Sequence, residues 1–163
     1  MPKLSAGILL HRHHGGVLEV LLAHPGGPFW SRKDDGAWSI PKGEYDSGDD
    51  PWEVAQREFL EELGTPAPAG ERLDLGDTRQ AGGKVVRAFA VAGDLDIVGF
   101  HSNTFTIEWP KGSGRLCEFP EIDRVSWLPI TDARVKILKG QVVFLDRLLA
   151  AAEVVDGHAP RPA

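Results

Sequence analysis

The chain has 163 residues, 42% of them hydrophobic, and a formal net charge of −6, enough for one sizeable core and too little for a second full domain. The acidic balance excludes general nucleic-acid binding, which needs a basic surface to displace counterions, and a lone Cys117 excludes an internal disulfide or a zinc–cysteine cluster. No apolar run approaches a membrane span and the N-terminus lacks the regions of a signal peptide, so a soluble, cytoplasmic chain without a membrane partner is expected.

In chain order, residues 4–10 and 17–23 are strand-like runs separated by His13-His14-Gly15-Gly16, which reads as a hairpin turn. His11, His13 and His14 are spaced as an exposed polar edge near a turn, and a zinc site there is set aside. Residues 24–36 form a long turn-rich connection containing Phe29, Trp30 and Lys33, and a loop of this length in a compact domain is commonly functional. It leads through 37–40 into Pro41-Lys42-Gly43.

A helix is expected next. Asp50 suits the N-cap, Pro51 the first helical position and Glu53 the return arm of a capping box, while Gly64 and Pro66 stop the helix. Trp52, Ala55, Phe59 and Leu63 recur at helical spacing and should face the core, with Glu58, Glu61 and Glu62 off that stripe. Beyond it, 73–75 and 85–91 read as strands joined through a glycine-bearing turn, and 104–109 and 125–128 as two more, bracketing a polar loop at 111–115. Thr131 caps a helix starting at Asp132, which breaks at Gly140 and continues through Val143, Leu145, Leu148 and Leu149. The expected organisation is one domain over 1–155 with a disordered tail over 156–163.

Glu58, Glu61 and Glu62 are three and four apart, so their carboxylates rise from neighbouring points of one helical turn, where like charges repel. A hard divalent cation, which takes oxygen ligands, is the natural partner of such a group.

The stretch from Gly43 to Gly64 resembles the signature box of the Nudix hydrolases: Gly, five residues, Glu, seven residues, Arg-Glu-apolar-x-Glu-Glu-x-Gly-apolar. Gly43, Arg57, Glu58, Phe59, Glu61, Glu62 and Gly64 stand at the family's positions, whereas Asp49 replaces the first glutamate and Thr65 the last apolar residue. The resemblance implies an α+β fold, an α/β/α sandwich with a mixed central sheet. It also implies hydrolysis of a pyrophosphate link in a nucleoside diphosphate joined to some group X, with Mg2+ (or Mn2+) as cofactor. Clustered carboxylates suit this chemistry, because phosphoryl transfer depends on positioning and on neutralising phosphate charge.

On the family's pattern Glu58, Glu61 and Glu62 bind metal with a backbone carbonyl at Lys42 or Gly43, Glu58 or Glu62 stands near the nucleophilic water, and Arg57 orients the glutamates. A base outside the box is expected at Glu118 or Glu121, with Glu108 as third candidate. Lys42, Lys84, Phe29 and Trp30 are the expected substrate-binding residues, and Lys33 and Arg87 are further basic candidates. The partner is a small-molecule nucleotide, and the chain a monomer or homodimer. A diadenosine polyphosphate is the first substrate choice. A housecleaning nucleoside triphosphate pyrophosphohydrolase and a non-catalytic nucleotide-binding module are the alternatives, with ADP-ribose, capped RNA and diphosphoinositols ranked lower among substrates.

Overall fold

The computed structural model describes residues 2–158, with side chains through Ala152. Its centre is β1 (Leu4–His14), a near-continuous apolar strand that buries both faces. β1 turns through Gly15 and Gly16, both at positive φ (59° and 81°), into β2 (Val17–Pro25), as a two-residue hairpin requires. The other strands are β3 (Lys42–Tyr45), β4 (Arg72–Arg79), β5 (Val85–Ala92), β6 (Thr104–Glu108), β7 (Leu116–Pro120) and β8 (Ile122–Pro129).

The main sheet runs β4-β5-β1-β2-β8, with β3 also on β1. β1 is parallel to β5 and antiparallel to its other neighbours, so the sheet is mixed, as expected. Along one edge β1 changes partner: Leu4 to Gly7 pair with β3, and His11 to His14 pair with β2. At the change Ile8 N–H donates to Pro41 O at 3.1 Å. That parting of β3 from β2 leaves room for a cleft.

Helix α1 (Pro51–Leu63) covers one face of the sheet, and α2 (Ile130–Lys136) and α3 (Val142–His158) belong to the other. Alternation along β1 feeds both cores. Ala6, Ile8 and Leu10 pack with Val54, Ala55, Phe59 and Leu63 of α1, and Leu9 packs with Ala133, Phe144, Leu145 and Leu148 of the other helices.

The start of α1 is where local chemistry sets it. The Asp50 carboxylate accepts from Trp52 N–H at 3.3 Å, Pro51 opens the helix, and Gly64 ends it at φ 75°. Asp49 keeps a loop contact despite its shorter stem, accepting from Asp46 N–H at 3.2 Å. The turn before β5 is a turn indeed, with Gln80 N–H on Lys84 O at 2.8 Å and Gly82 and Gly83 at positive φ.

Three expectations need correction. Helix α2 starts at Ile130 rather than Asp132, with Pro129 and not Thr131 at its cap, and the break expected at Gly140 is longer, spanning 137–141, because Ile137 bridges to Trp38 and Leu138 N–H donates to Trp38 O at 2.7 Å. Helix α3 continues to His158, three residues into the expected tail, and residues 159–163 lie outside those described. Residues 116–120, left between the expected 111–115 loop and the 125–128 strand, form β7, which pairs with β6 in a separate two-stranded ribbon. Its alternation is short and ends in Pro120, so only pairing with β6 reveals it.

Candidate active site

Glu62 lies on the last turn of α1 and is 9% exposed, so it belongs to the buried side of the helix rather than to a solvated acidic face. Its Oε2 accepts from Lys42 N–H at 3.2 Å. Burial pushes its carboxyl up to about 8; Lys42 opposes the shift, and Glu58 and Glu121 add to it. The Lys42 ammonium is moved the other way, below the usual lysine range, by burial and then by Lys84. Burial, then Glu61, also raises Glu58, against the pull of Arg57.

Gly43 is required by close approach. A Cβ there would stand 2.0 Å from Cδ of Glu58 and 2.2 and 2.4 Å from its oxygens, so the carboxylate lies directly on the backbone of β3. Arg57 reaches Glu58 at 3.6 Å and Glu61 at 4.0 Å, an arrangement suited to orienting both. Half-exposed Glu61 offers its backbone as well. Its carbonyl accepts from Asn103 N–H at 3.0 Å, Asn103 O accepts from Glu121 N–H at 2.8 Å, and Glu121 O accepts from Gly26 N–H at 2.8 Å. This ladder carries Glu121 from outside the box to the end of α1.

A cleft of about 420 Å³ is lined at one end by Lys42, Glu62 and Glu121 and elsewhere by Phe29, Trp30, Ile40 and Phe105. Its volume suits one small-molecule ligand. The aromatic part is built by contact between distant segments: Phe105 of β6 lies against Gly27, and Phe29 stands edge-on to Trp109 at 5.3 Å. Trp30 also packs against the core, with Lys33 Nζ 5.0 Å from its ring centre. A separate cleft at Arg12, Asp94 and Trp127 shares no lining residue with this one.

Fully buried His24 anchors the loop. Its Nε2 donates to Lys33 O at 2.6 Å and its Nδ1 meets Asp123 Oδ1 at 2.7 Å, tying 26–33 to the start of β8 beside Glu121.

Of the expected site residues, Glu62, Glu121, Lys42, Phe29 and Trp30 line this cleft, Glu58 rests on Gly43 one residue from Lys42, and Arg57 lines another cleft of about 770 Å³ with Glu44, Tyr45 and Asp49. Glu118 is not at the site: it faces Thr106 on the exposed side of the ribbon and lines no part of the first cleft. Glu108 closes the ribbon turn on Gly112 N–H. Lys84 is held by Glu44 at 3.5 Å but remains near Lys42, and Arg87 is committed to Asp74. Phe105 escaped sequence reasoning because only the ribbon's docking points it inward.

Among the described residues, no three acidic, histidine or cysteine groups stand at metal-ligand spacing. The chemistry of the donors nonetheless fits a hard cation. They are all oxygens, and two neighbouring carboxyls are held towards their neutral forms by burial that a bound cation would offset.

A mixed sheet between helices, with a buried carboxylate turn against a glycine strand, defines the chain as a Nudix-fold protein. The family model described as NUDIX domain matches residues 1–148, and the chain belongs to that family. The RNA pyrophosphohydrolase of Rhodospirillum rubrum is 41% identical over 66 residues, a stretch that spans 39% of this chain and 39% of that protein. Among solved structures, the NUDIX domain of Shewanella oneidensis NrtR complexed with ADP ribose superposes with a TM-score of 0.63 at 17% identity, covering 93% of this chain and 89% of that one. C. elegans Ap4A hydrolase in a binary complex gives a TM-score of 0.59 at 21% identity, covering 93% and 98%. These two likenesses establish the fold.

Proposed function

We propose that the chain is a Nudix pyrophosphohydrolase that opens the pyrophosphate link of a nucleoside diphosphate joined to a second group. The observation that carries this reading is the meeting of Lys42, Glu62 and Glu121 at one end of an aromatic-walled cleft, with Glu58 seated on Gly43 beside them. The aromatic part takes one nucleobase by stacking, which places the phosphates at the charged end.

Glu58 and Glu62 are the residues that would hold a divalent cation, Mg2+ or Mn2+, with Glu61 adjacent and a backbone carbonyl at Gly43. Bound there, the cation supplies neutralisation of phosphate charge. Glu121 takes the proton of the attacking water. Oxygen adds to phosphorus as the bridging P–O bond breaks, and the leaving phosphate departs as an anion. Arg57 holds Glu58 and Glu61 in place, and Lys42 sets the phosphate against them.

A diadenosine polyphosphate remains the first substrate choice. An RNA carrying a pyrophosphate link is the second reading, favoured by the 41% identity over 66 residues to the Rhodospirillum rubrum RNA pyrophosphohydrolase. The test is product analysis with Mg2+ or Mn2+ on diadenosine polyphosphates, a triphosphorylated RNA oligonucleotide, nucleoside triphosphates and ADP-ribose. Glu62→Gln is expected to lower turnover by at least about 100-fold while the protein still melts cooperatively. Unchanged turnover in Glu62→Gln would refute the assignment, and binding without turnover in the parent would make the chain a nucleotide-binding module.

A further inference from the structure

Residues 39–43 carry Lys42 and Gly43 into the site where β1 changes partner; Ile40 and Pro41 are buried and their neighbours half-buried, so the buried polar groups there need protein partners. Ser39 exchanges both its backbone bonds with Ala23. Pro41 has no N–H, and its carbonyl is taken by Ile8. Lys42 N–H goes to Glu62 Oε2. Gly43 is in the β1–β3 ladder opposite Ala6, and Ile40 N–H goes to Gln141 Oε1 at 3.1 Å.

Gln141 is fully buried at the end of the short 3-10 turn before α3. Its Nε2 donates to Gln80 Oε1 at 2.9 Å and to Ser39 Oγ at 3.0 Å. A flipped amide would aim its NH2 at Ile40 N–H, so the backbone donor selects the orientation. Gly140 admits this approach, since a Cβ there would lie 3.1 Å from Gln80 Cγ. The segment is therefore gripped by two side chains from opposite faces of the sheet, Glu62 from α1 and Gln141 from the turn before α3.

We propose that Gln141 is a positioning residue for the metal-binding carboxylates: through Ile40 N–H it fixes the 40–43 backbone on which Glu62 and Glu58 rest. Gln80 braces its amide. Without the Oε1 acceptor, Ile40 N–H is an unpaired buried donor and the segment shifts to find another partner, taking Lys42 N–H away from Glu62 and the Gly43 seat away from Glu58. The activity readouts below rest on the hydrolase reading, and the Mn2+ readout does not.

The experiment compares Gln141→Met, which keeps volume and removes the acceptor, with Gln141→Glu, which keeps an acceptor, and with Leu148→Ala, a core truncation in α3 away from the site. Mn2+ affinity is measured by titration against electron paramagnetic resonance, well below each melting temperature, alongside kcat and KM. Gln141→Met is expected to bind Mn2+ about tenfold more weakly, as loss of an outer supporting bond typically does, and to lose kcat by about tenfold or more with KM within threefold. Gln141→Glu should stay within threefold of the parent in Mn2+ affinity, and Leu148→Ala should lose stability without weakening Mn2+. Parent-like Mn2+ affinity in Gln141→Met, or equal weakening in Leu148→Ala, overturns the proposal. Should Gln141→Met not fold, Gln80→Met decides: removing the brace should weaken Mn2+ in the same direction by a smaller factor, and no change overturns the proposal. A parent that binds Mn2+ but cleaves no substrate would refute the hydrolase reading and leave this inference to the Mn2+ arm alone.

Discussion

At the scale of single residues, the site depends on contacts shorter than a side chain can tolerate. Glu58 occupies the space where any residue other than glycine would place its Cβ at position 43, and the neighbour is a carboxylate that helix α1 and Arg57 hold in position. Gly43→Ala is thus expected to displace the Glu58 carboxylate by an ångström or more and to lower turnover by about 100-fold, the usual penalty for such misplacement. Steady-state kinetics with far-ultraviolet circular dichroism checks this, since the secondary structure should stay intact. Phe105 is a different case. It lines the cleft with an apolar ring that can neither ligate a cation nor move a proton, so Phe105→Ala should raise KM with little change in kcat.

At the scale of elements, α1 is a lever with both ends fastened. Its N-cap is a single carboxylate–amide bond, so Asp50→Ala should cost about 1 kcal/mol and lower Tm by about 2–4 °C in a thermal melt. The C-terminal end is fastened by His101 N–H on Leu63 O at 3.1 Å and Asn103 N–H on Glu61 O at 3.0 Å, and Gly64 is required there, at φ 75° with a Cβ position only 2.6 Å from His101 O. Between these ends the apolar stripe turns Phe59 and Leu63 into the core and carries Glu62 in with them. Glu58 and Glu61 follow on the rim. The ribbon β6–β7 is the second element that matters, since it brings Phe105 over the loop that His24 and Asp123 anchor.

For the molecule as a whole, the buried carboxylate sets a link between stability and pH. With chelator present, Glu62 has a folded value of about 8 against 4.5 when unfolded, so folding disfavours its charged form. No penalty applies below pH 4.5. It grows between pH 4.5 and 8 and is complete above that, with a ceiling of about 5 kcal/mol. In chelator, Glu62→Gln should therefore melt with the parent near pH 4 and above it near pH 9, by differential scanning calorimetry. A constant difference across that range would show that Glu62 ionises in the fold as freely as in the unfolded chain.

Local signals were legible in the residues themselves. The cap at Asp50 and Pro51, the stop at Gly64 and the β1–β2 turn at Gly15-Gly16 each depend on backbone chemistry within a few positions, and all stand where sequence reasoning put them. The box from Gly43 to Gly64 belongs to the same class, because its helix brings Glu58, Glu61 and Glu62 together by periodicity alone. What lay beyond local reach required distant strands to meet. Glu118 and Glu121 are equivalent in sequence, and only the backbone ladder from Glu61 through Asn103 places Glu121 in the cleft and leaves Glu118 on the ribbon's outer face. Burial of Glu62, the inward turn of Phe105 and the grip of Gln141 on Ile40 are likewise tertiary, since each depends on a neighbour supplied by another element. The sequence by itself determined that three carboxylates cluster on one helical turn and where their helix begins and ends. The tertiary structure decided which acid joins them and which amide holds their support, because a buried hydrogen bond between segments a hundred residues apart exists only once the sheet has closed.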